Sequence, residues 1–233
     1  MVQNKQALVL FSGGQDSTTC LAWALSQYDA VETIGFQYGQ RHAVEMSLRP
    51  TLLKHLRTLS DTWDQRLRED HVIDLSFIPE LSETALTNDV EIQFLKNGLP
   101  NTFVPGRNLL FLTVASMLAY RRGIHTLIGG MSEADFSGYP DCRDDTMKAM
   151  QTTLTLGFAT PVTIKTPLMR KNKKEIWQAA FSLGGESLIH LIRTQTHSCY
   201  LGNRNILHDW GYGCNECPAC QLRKEGYRQF KTS

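Results

Sequence analysis

The 233-residue chain is long enough for one ordinary domain with a small appendage, and its 42% apolar and 20% charged residues are normal for a globular protein with a real core. A formal net charge of +1 gives no broad field for a polyanion, which argues against general binding to tRNA or DNA. The longest apolar stretch, residues 109–120, contains Thr113 and Ser116 and is too short to span a bilayer. The first residues lack a basic segment followed by an apolar one, so we expect no membrane association and a cytoplasmic location.

Strand and helix signals alternate along the chain. Residues 7–11 form a short β-rich run, and a helical pattern follows over about 17–25. Residues 31–38 predict a second strand and a polar-faced helix from about Ala43. A third strand is expected at 72–75, followed by an irregular connection over 77–89. The apolar stretch from Leu109 reads as a buried helix. It leads to a fourth strand at 125–129, closed by glycines, and residues 162–165 predict a fifth. Asn172 and Glu175 fit a capping box, so a helix is expected to begin near Lys173 and run to about Leu183. This alternation predicts an α/β fold, a parallel sheet with helices on both faces and ligands gathered at the carboxyl ends of its strands. From about Thr194 the chain turns rich in Cys, Gly and Asn, so we divide it into an α/β domain, 1–193, and a C-terminal region, 194–233.

The first strand runs directly into Ser12-Gly13-Gly14-Gln15-Asp16-Ser17 and then a helix. Glycines let successive N–H groups turn towards one point. The helix N-terminus adds unpaired donors, and Ser12 and Ser17 add hydroxyls, a combination that suits a phosphate. Asp16 would repel that phosphate, which implies a magnesium ion or a structural hydrogen bond there. A plain Gly-Gly turn with Asp16 or Ser17 as helix cap is the alternative. With no lysine after the glycines, this is not a P-loop of the Gly-Lys-Ser/Thr kind.

Four of the six cysteines fall in the last 35 residues as C-x14-C-x2-C-x2-C: Cys199, Cys214, Cys217 and Cys220. Two-residue gaps let neighbouring thiolates converge on one tetrahedral ion, and four soft ligands with no open position favour structural zinc. Buried cysteines or an iron–sulfur cluster are the alternatives. His197 and His208 lie nearby but are expected to stay outside the ligand set. Cys20 is expected to pack as a small apolar residue, and Cys142 to pack or line a pocket. Arg223, Lys224, Arg228 and Lys231 read as a solvated helix face.

Ser-Gly-Gly-x-Asp-Ser after a first strand resembles the PP-loop, or N-type ATP pyrophosphatases, which cleave ATP between the α and β phosphates and adenylate a substrate oxygen. YGQRH at 38–42, VPGRN at 104–108, DFSGYPDCR at 135–143, TPL at 166–168 and the stretch 214–223 narrow the match. Together they resemble the 7-cyano-7-deazaguanine synthases over nearly the whole chain. That resemblance implies an adenine nucleotide alpha hydrolase-like fold and conversion of 7-carboxy-7-deazaguanine, ammonia and two ATP into the nitrile, with AMP and diphosphate released. It places the nucleotide on Phe11, Ser12, Gly13, Gly14, Gln15, Asp16 and Ser17. Asp16, Arg107, Arg143 and Lys173 are expected to carry the chemistry. Asp135 or Asp141 is expected to read the base edge and Phe136 or Tyr139 to stack on it. Loop caps and core contacts are the alternatives for these acids and aromatics.

A homodimer is a family expectation, and direct nucleic-acid binding is not expected. Two departures stand out. Asn215 follows Cys214 where relatives commonly carry Gly, a substitution a left-handed turn tolerates. Ser132 occupies a position often held by Cys, which makes thioester chemistry less attractive. The rivals are a tRNA-thiolating PP-loop enzyme and a zinc-knuckle nucleic-acid module. They predict, respectively, sulfur delivery to tRNA and salt-sensitive RNA binding without pyrophosphate release.

Overall fold

A computed structural model describes residues 5–39, 44–81, 84, 100–134 and 139–233. Strand β1 (Gln6–Leu10) is the centre of a five-stranded parallel sheet ordered β3-β2-β1-β4-β5, with β2 (Ala30–Gln37), β3 (Leu67–Asp74), β4 (Thr126–Ile128) and β5 (Thr163–Lys165). Alternation along β1 sends Ala7 and Val9 into one apolar layer and Leu8 into the other. A strand buried on both faces needs apolar residues throughout, which is why this segment reads as a continuous run. The edge strand β3 is mostly exposed and carries Arg68, Glu69, Asp70 and His71, so only its last residues look β-like in sequence.

On one face of the sheet, α1 (Gln15–Gln27), α2 (Val44–Thr58), α3 (Asp61–Arg66), α7 (Lys173–Gln195) and α8 (Pro218–Lys231) enclose Leu21, Leu25, Leu52, Ile176, Trp177 and Ile192. The short α4 (Ile78–Leu81), α5 (Arg107–Arg122) and α6 (Asp144–Phe158) cover the other face around Leu112, Ala115 and Met147. The expected end of the helix near Leu183 falls where α7 breaks at Gly184 and Gly185, beyond which a second helical stretch continues to Gln195. Helix α6 and the short α3 are additions to the sequence reading.

The tail joins the first of these layers. Cys199, Trp210, Cys217, Cys220 and Tyr227 pack in the same cluster as Leu21 and Ile176, and β6 (Leu207–His208) pairs with β7 (Gly211–Tyr212) as a two-stranded ribbon. Among the described residues, no helix is long and apolar enough to cross a membrane. The chain leaves β1 towards β2 on one side and returns to β4 on the other. Strand order therefore reverses between β1 and β4, and a crevice opens at their carboxyl ends.

Candidate active site

The Ser12–Ser17 turn lies at that reversal. Gly13 has a φ of +93°, and a Cβ on it would stand 2.7 Å from the Glu45 carbonyl, so both conformation and space demand glycine. Ser17 Oγ receives the Gly13 N–H at 3.2 Å and bonds the Gly14 carbonyl at 3.1 Å, while Ser12 Oγ receives the Gly14 N–H at 3.3 Å. These contacts curl the loop. Helix α1 begins after Gly14 with no side chain capping it, so its first-turn donors remain for an anion.

Asp16 and Lys173 meet across the loop, Nζ to Oδ2, at 2.7 Å. Both bonds of the Asn172–Glu175 capping box are present, and they fix the first turn of α7 from which Lys173 reaches. A structural partner for Asp16, one of the two options open in the sequence, is thus the lysine. Its other oxygen, Oδ1, is buried with no partner among the described residues.

Together these groups border a cavity of about 460 Å³ lined by the loop, the ends of β2 and β4, the start of α5, and the tail from His197 to Tyr200 with Pro218 to Arg223 on α8. Arg107 opens α5 after Gly106 and lies against the rings of Tyr38 and Phe111, with Nη1 donating to the Tyr38 hydroxyl at 3.3 Å. Phe111 in turn stacks on Phe36, 4.3 Å apart, making a flat apolar wall. Buried polar atoms without partners among the described residues cluster here: Gln15 Nε2, Asp16 Oδ1, Arg107 Nε and both nitrogens of His197. A folded protein rarely leaves such groups unpaired unless a ligand meets them. Burial holds His197 well below the usual histidine range, at about 4, and therefore neutral at pH 7.

The remaining expectations separate here. Tyr139 lines the cavity, but its hydroxyl bonds Thr102 at 2.6 Å and its ring stacks on Phe103. Asp141 is buried outside the lining, and Oδ2 accepts the Asn108 N–H at 3.0 Å; it caps α5, the alternative open in the sequence. Arg143 is exposed at the start of α6 and does not line the cavity. Asp135 and Phe136 lie outside the described residues. Cys142 and Ser132 both line the cavity, and Cys20 is fully buried against the Gly129 carbonyl, as a small apolar side chain would be.

Arg223 requires a correction. It is 1% exposed, and no solvated face includes it. Its guanidinium donates to the carbonyls of Trp210 at 3.0 Å and Ile192 at 2.8 Å and to Ser198 Oγ at 3.3 Å, pinning the tail to the end of α7. The signal was available: Cys220, Arg223 and Tyr227 repeat at helical spacing on one face of α8. Glu45, in the first turn of α2, was also missed. It lines the cavity, and burial pushes its carboxyl up to about 8.

The cysteine tail has the geometry of a metal knuckle. The four sulfur atoms lie within 4.8 Å of one another, and Cys214 and Cys220 are 3.8 Å apart. A tetrahedron with metal–sulfur bonds of about 2.3 Å has edges of about 3.8 Å, so the cluster fits such an ion. Cys214 Sγ also accepts the N–H groups of Glu216 at 3.4 Å and Cys217 at 3.2 Å. Asn215 has a φ of +63°, the left-handed turn expected of it. Neither His197 nor His208 belongs to the cluster, although Cys199 borders the cavity as well as the knuckle.

A solved 4-thiouridine synthetase–RNA complex with bound ATP matches 97% of this chain and 50% of its own at a TM-score of 0.52 and 16% identity, a likeness of fold alone. Proteins named 7-cyano-7-deazaguanine synthase are far more similar. That of Herminiimonas arsenicoxydans is 66% identical over 96% of both chains, and that of Janthinobacterium sp. (strain Marseille) is 64% identical over 96% of this chain and 95% of its own. A family model described as queuosine biosynthesis protein QueC matches residues 6–231, and with a glycine-rich loop at the sheet's switch point and a four-cysteine tail against the same cavity, the chain belongs to the QueC family.

Proposed function

We propose that this protein is an ATP-dependent carbon–nitrogen ligase that converts 7-carboxy-7-deazaguanine and ammonia into 7-cyano-7-deazaguanine. The observation that carries the reading is the shared cavity: the loop that suits a phosphate, the half-buried Arg107 and the tail all border it, in a chain 66% identical to a synthase of that name.

A carboxylate resists ammonia because oxide is a poor leaving group. Attack of its oxygen on the α-phosphorus of ATP releases diphosphate and turns that oxygen into part of a good leaving group, AMP. Ammonia then gives the amide. Adenylation of the amide oxygen by a second ATP lets AMP leave again, this time with loss of N–H protons, and the nitrile results. The protein's task is to position reactants and stabilise phosphate charge. Gly13, Gly14, Ser12 and Ser17 offer a cradle to the phosphates, flanked by Phe11 and Gln15. Lys173, oriented by Asp16, supplies positive charge beside it. Arg107 is suited to the substrate carboxylate, and the Phe36–Phe111 wall and Tyr139 to the flat base.

A magnesium ion carried with ATP would find an acidic ligand in Asp16, neutralising phosphate charge. Zinc suits the four thiolates and would tie the tail that forms one wall of the cavity. The reading takes ammonia as the nitrogen substrate, whatever its source, and a cytoplasmic homodimer as the family expectation for the working form. The test is to incubate the protein with the acid, an ammonium salt and Mg-ATP and to weigh the product. The nitrile mass is expected. Sulfur delivered to tRNA and no nitrile would favour the thiolating relatives instead.

A further inference from the structure

We propose that Glu45 is the catalytic base of the two nitrogen steps, taking N–H protons first from the attacking ammonia and then from the adenylated amide. The inference rests on the nitrile-forming reading. Making a nitrile from a primary amide strips both protons from one nitrogen, and attack by ammonia sheds one before that. Bulk water is a poor choice of base, because it would also hydrolyse the adenylate. A base held by the protein is needed beside the reacting carbon.

Among the described residues, the cavity is lined by two carboxylates, Asp16 and Glu45. Asp16 is held by Lys173 at 2.7 Å and serves the phosphate side. Glu45 stands beside the loop: its Oε1 would lie 3.4 Å from a Cβ placed on Gly14, and its side chain bonds to Ser12. The N-terminus of α2 thus carries a carboxylate to the edge of the phosphate cradle, where the α-phosphate and the reacting carbon have to meet. The charged and titratable groups facing it are Asp16 on α1, Tyr38 beyond β2, Arg107 on α5 and Arg223 on α8. Burial dominates over the two arginines and raises the carboxyl to about 8, a strength that matches a general base working near neutral pH.

The steps balance. Ammonia attacks the acyl carbon, Glu45 takes an N–H proton, and the C–O bond to AMP breaks with its electrons leaving on the phosphate. In the second step the amide oxygen, once adenylated, leaves a protonated imidate. Glu45 takes one N–H proton, passes it to solvent or phosphate, and takes the other. That last N–H pair completes the triple bond as the C–O pair departs with AMP.

The amide offered as substrate removes the titration of ammonium from the experiment. With amide and Mg-ATP, the wild-type rate of nitrile formation should rise with pH to a plateau above about 8. The isosteric Glu45→Gln protein should keep ATP–pyrophosphate exchange with the acid within about threefold of wild type. It should make nitrile about 100-fold more slowly or worse. Glu45→Asp should recover part of the rate and keep the pH limb. A flat wild-type profile, nitrile at the wild-type rate in Glu45→Gln, or exchange falling in parallel with nitrile would each overturn the assignment, and the flat profile does so without any variant. No nitrile from the wild-type protein would strike down the proposed function first and this inference with it.

Discussion

Lys173, in the first turn of α7, reaches Asp16, in the first turn of α1, with a 2.7 Å ion pair that bridges the phosphate loop. The first turns of two helices therefore meet at the loop: α1 starts without a side-chain cap and offers unpaired N–H groups and positive dipole, while α7 starts with its capping box in place. Lysine is unfavourable in a first turn because it opposes that dipole. Its presence here is explained by Asp16, whose carboxylate it meets across the loop.

Removing either partner should disable adenylation and spare the fold. Asp16→Ala and Lys173→Met are each expected to lower ATP–pyrophosphate exchange by about 100-fold or more, the scale typical for losing a preorganised charge at a reacting phosphate. The melting midpoint should stay within a few degrees of wild type, since neither residue packs in the core. Exchange at the wild-type rate in a folded variant would remove the pair from the chemistry.

The tail predicts one tightly held zinc per chain. Metal analysis of the purified protein should give close to one zinc, and Cys217→Ser should lose it together with several degrees of thermal stability. Because Cys199 borders the cavity, the variant should also bind ATP less well. A metal-free protein with wild-type stability would show that packing alone holds the tail.

Asn215 is a sharper probe of the same knuckle. With φ at +63°, it occupies a conformation that glycine takes freely and a β-branched residue strongly resists. Asn215→Gly should hold zinc as well as wild type, whereas Asn215→Val should lose about 1–2 kcal/mol in urea denaturation. Equal stability of the two variants would mean the turn does not constrain the site.

Glu45 also makes a prediction about stability against pH. Its folded carboxyl is raised to about 8, above the ordinary glutamate value, so between those values the folded state binds more protons than the unfolded one. Stability from this group is therefore full below the ordinary value and lost as pH rises through about 8. Glu45→Gln, which cannot ionise, should melt higher than wild type at pH about 9 and close to it at pH about 5. An identical difference at both values would mean the carboxyl is not raised in the folded protein.

Much of this site is legible in the sequence. The SGGQDS turn, the capping box and the cysteine spacing are local patterns, so each is carried by contiguous residues whose geometry follows from their own chemistry. Strand β3 was recognised only at its end, because an edge strand facing water needs no apolar alternation and gives little signal. Helix α6 repeats Met147, Met150 and Leu154 at helical spacing, but its threonines disguise it. Thr152 and Thr153 send their hydroxyls back to the carbonyls four residues earlier. The sequence could not place Asp141 under α5 or Glu45 against the phosphate loop. Those positions exist only once α5 and α2 have packed, and nothing in either segment's own pattern records the partner.

The number of AMP molecules formed per nitrile tests the two adenylations most directly. Starting from the acid, ammonia and Mg-ATP, two AMP should appear for each 7-cyano-7-deazaguanine. Starting from the amide, the first activation is bypassed and the same product should need only one. ADP as the main nucleotide product, or an equal AMP count from acid and amide, would contradict the two-adenylation account even if nitrile were formed.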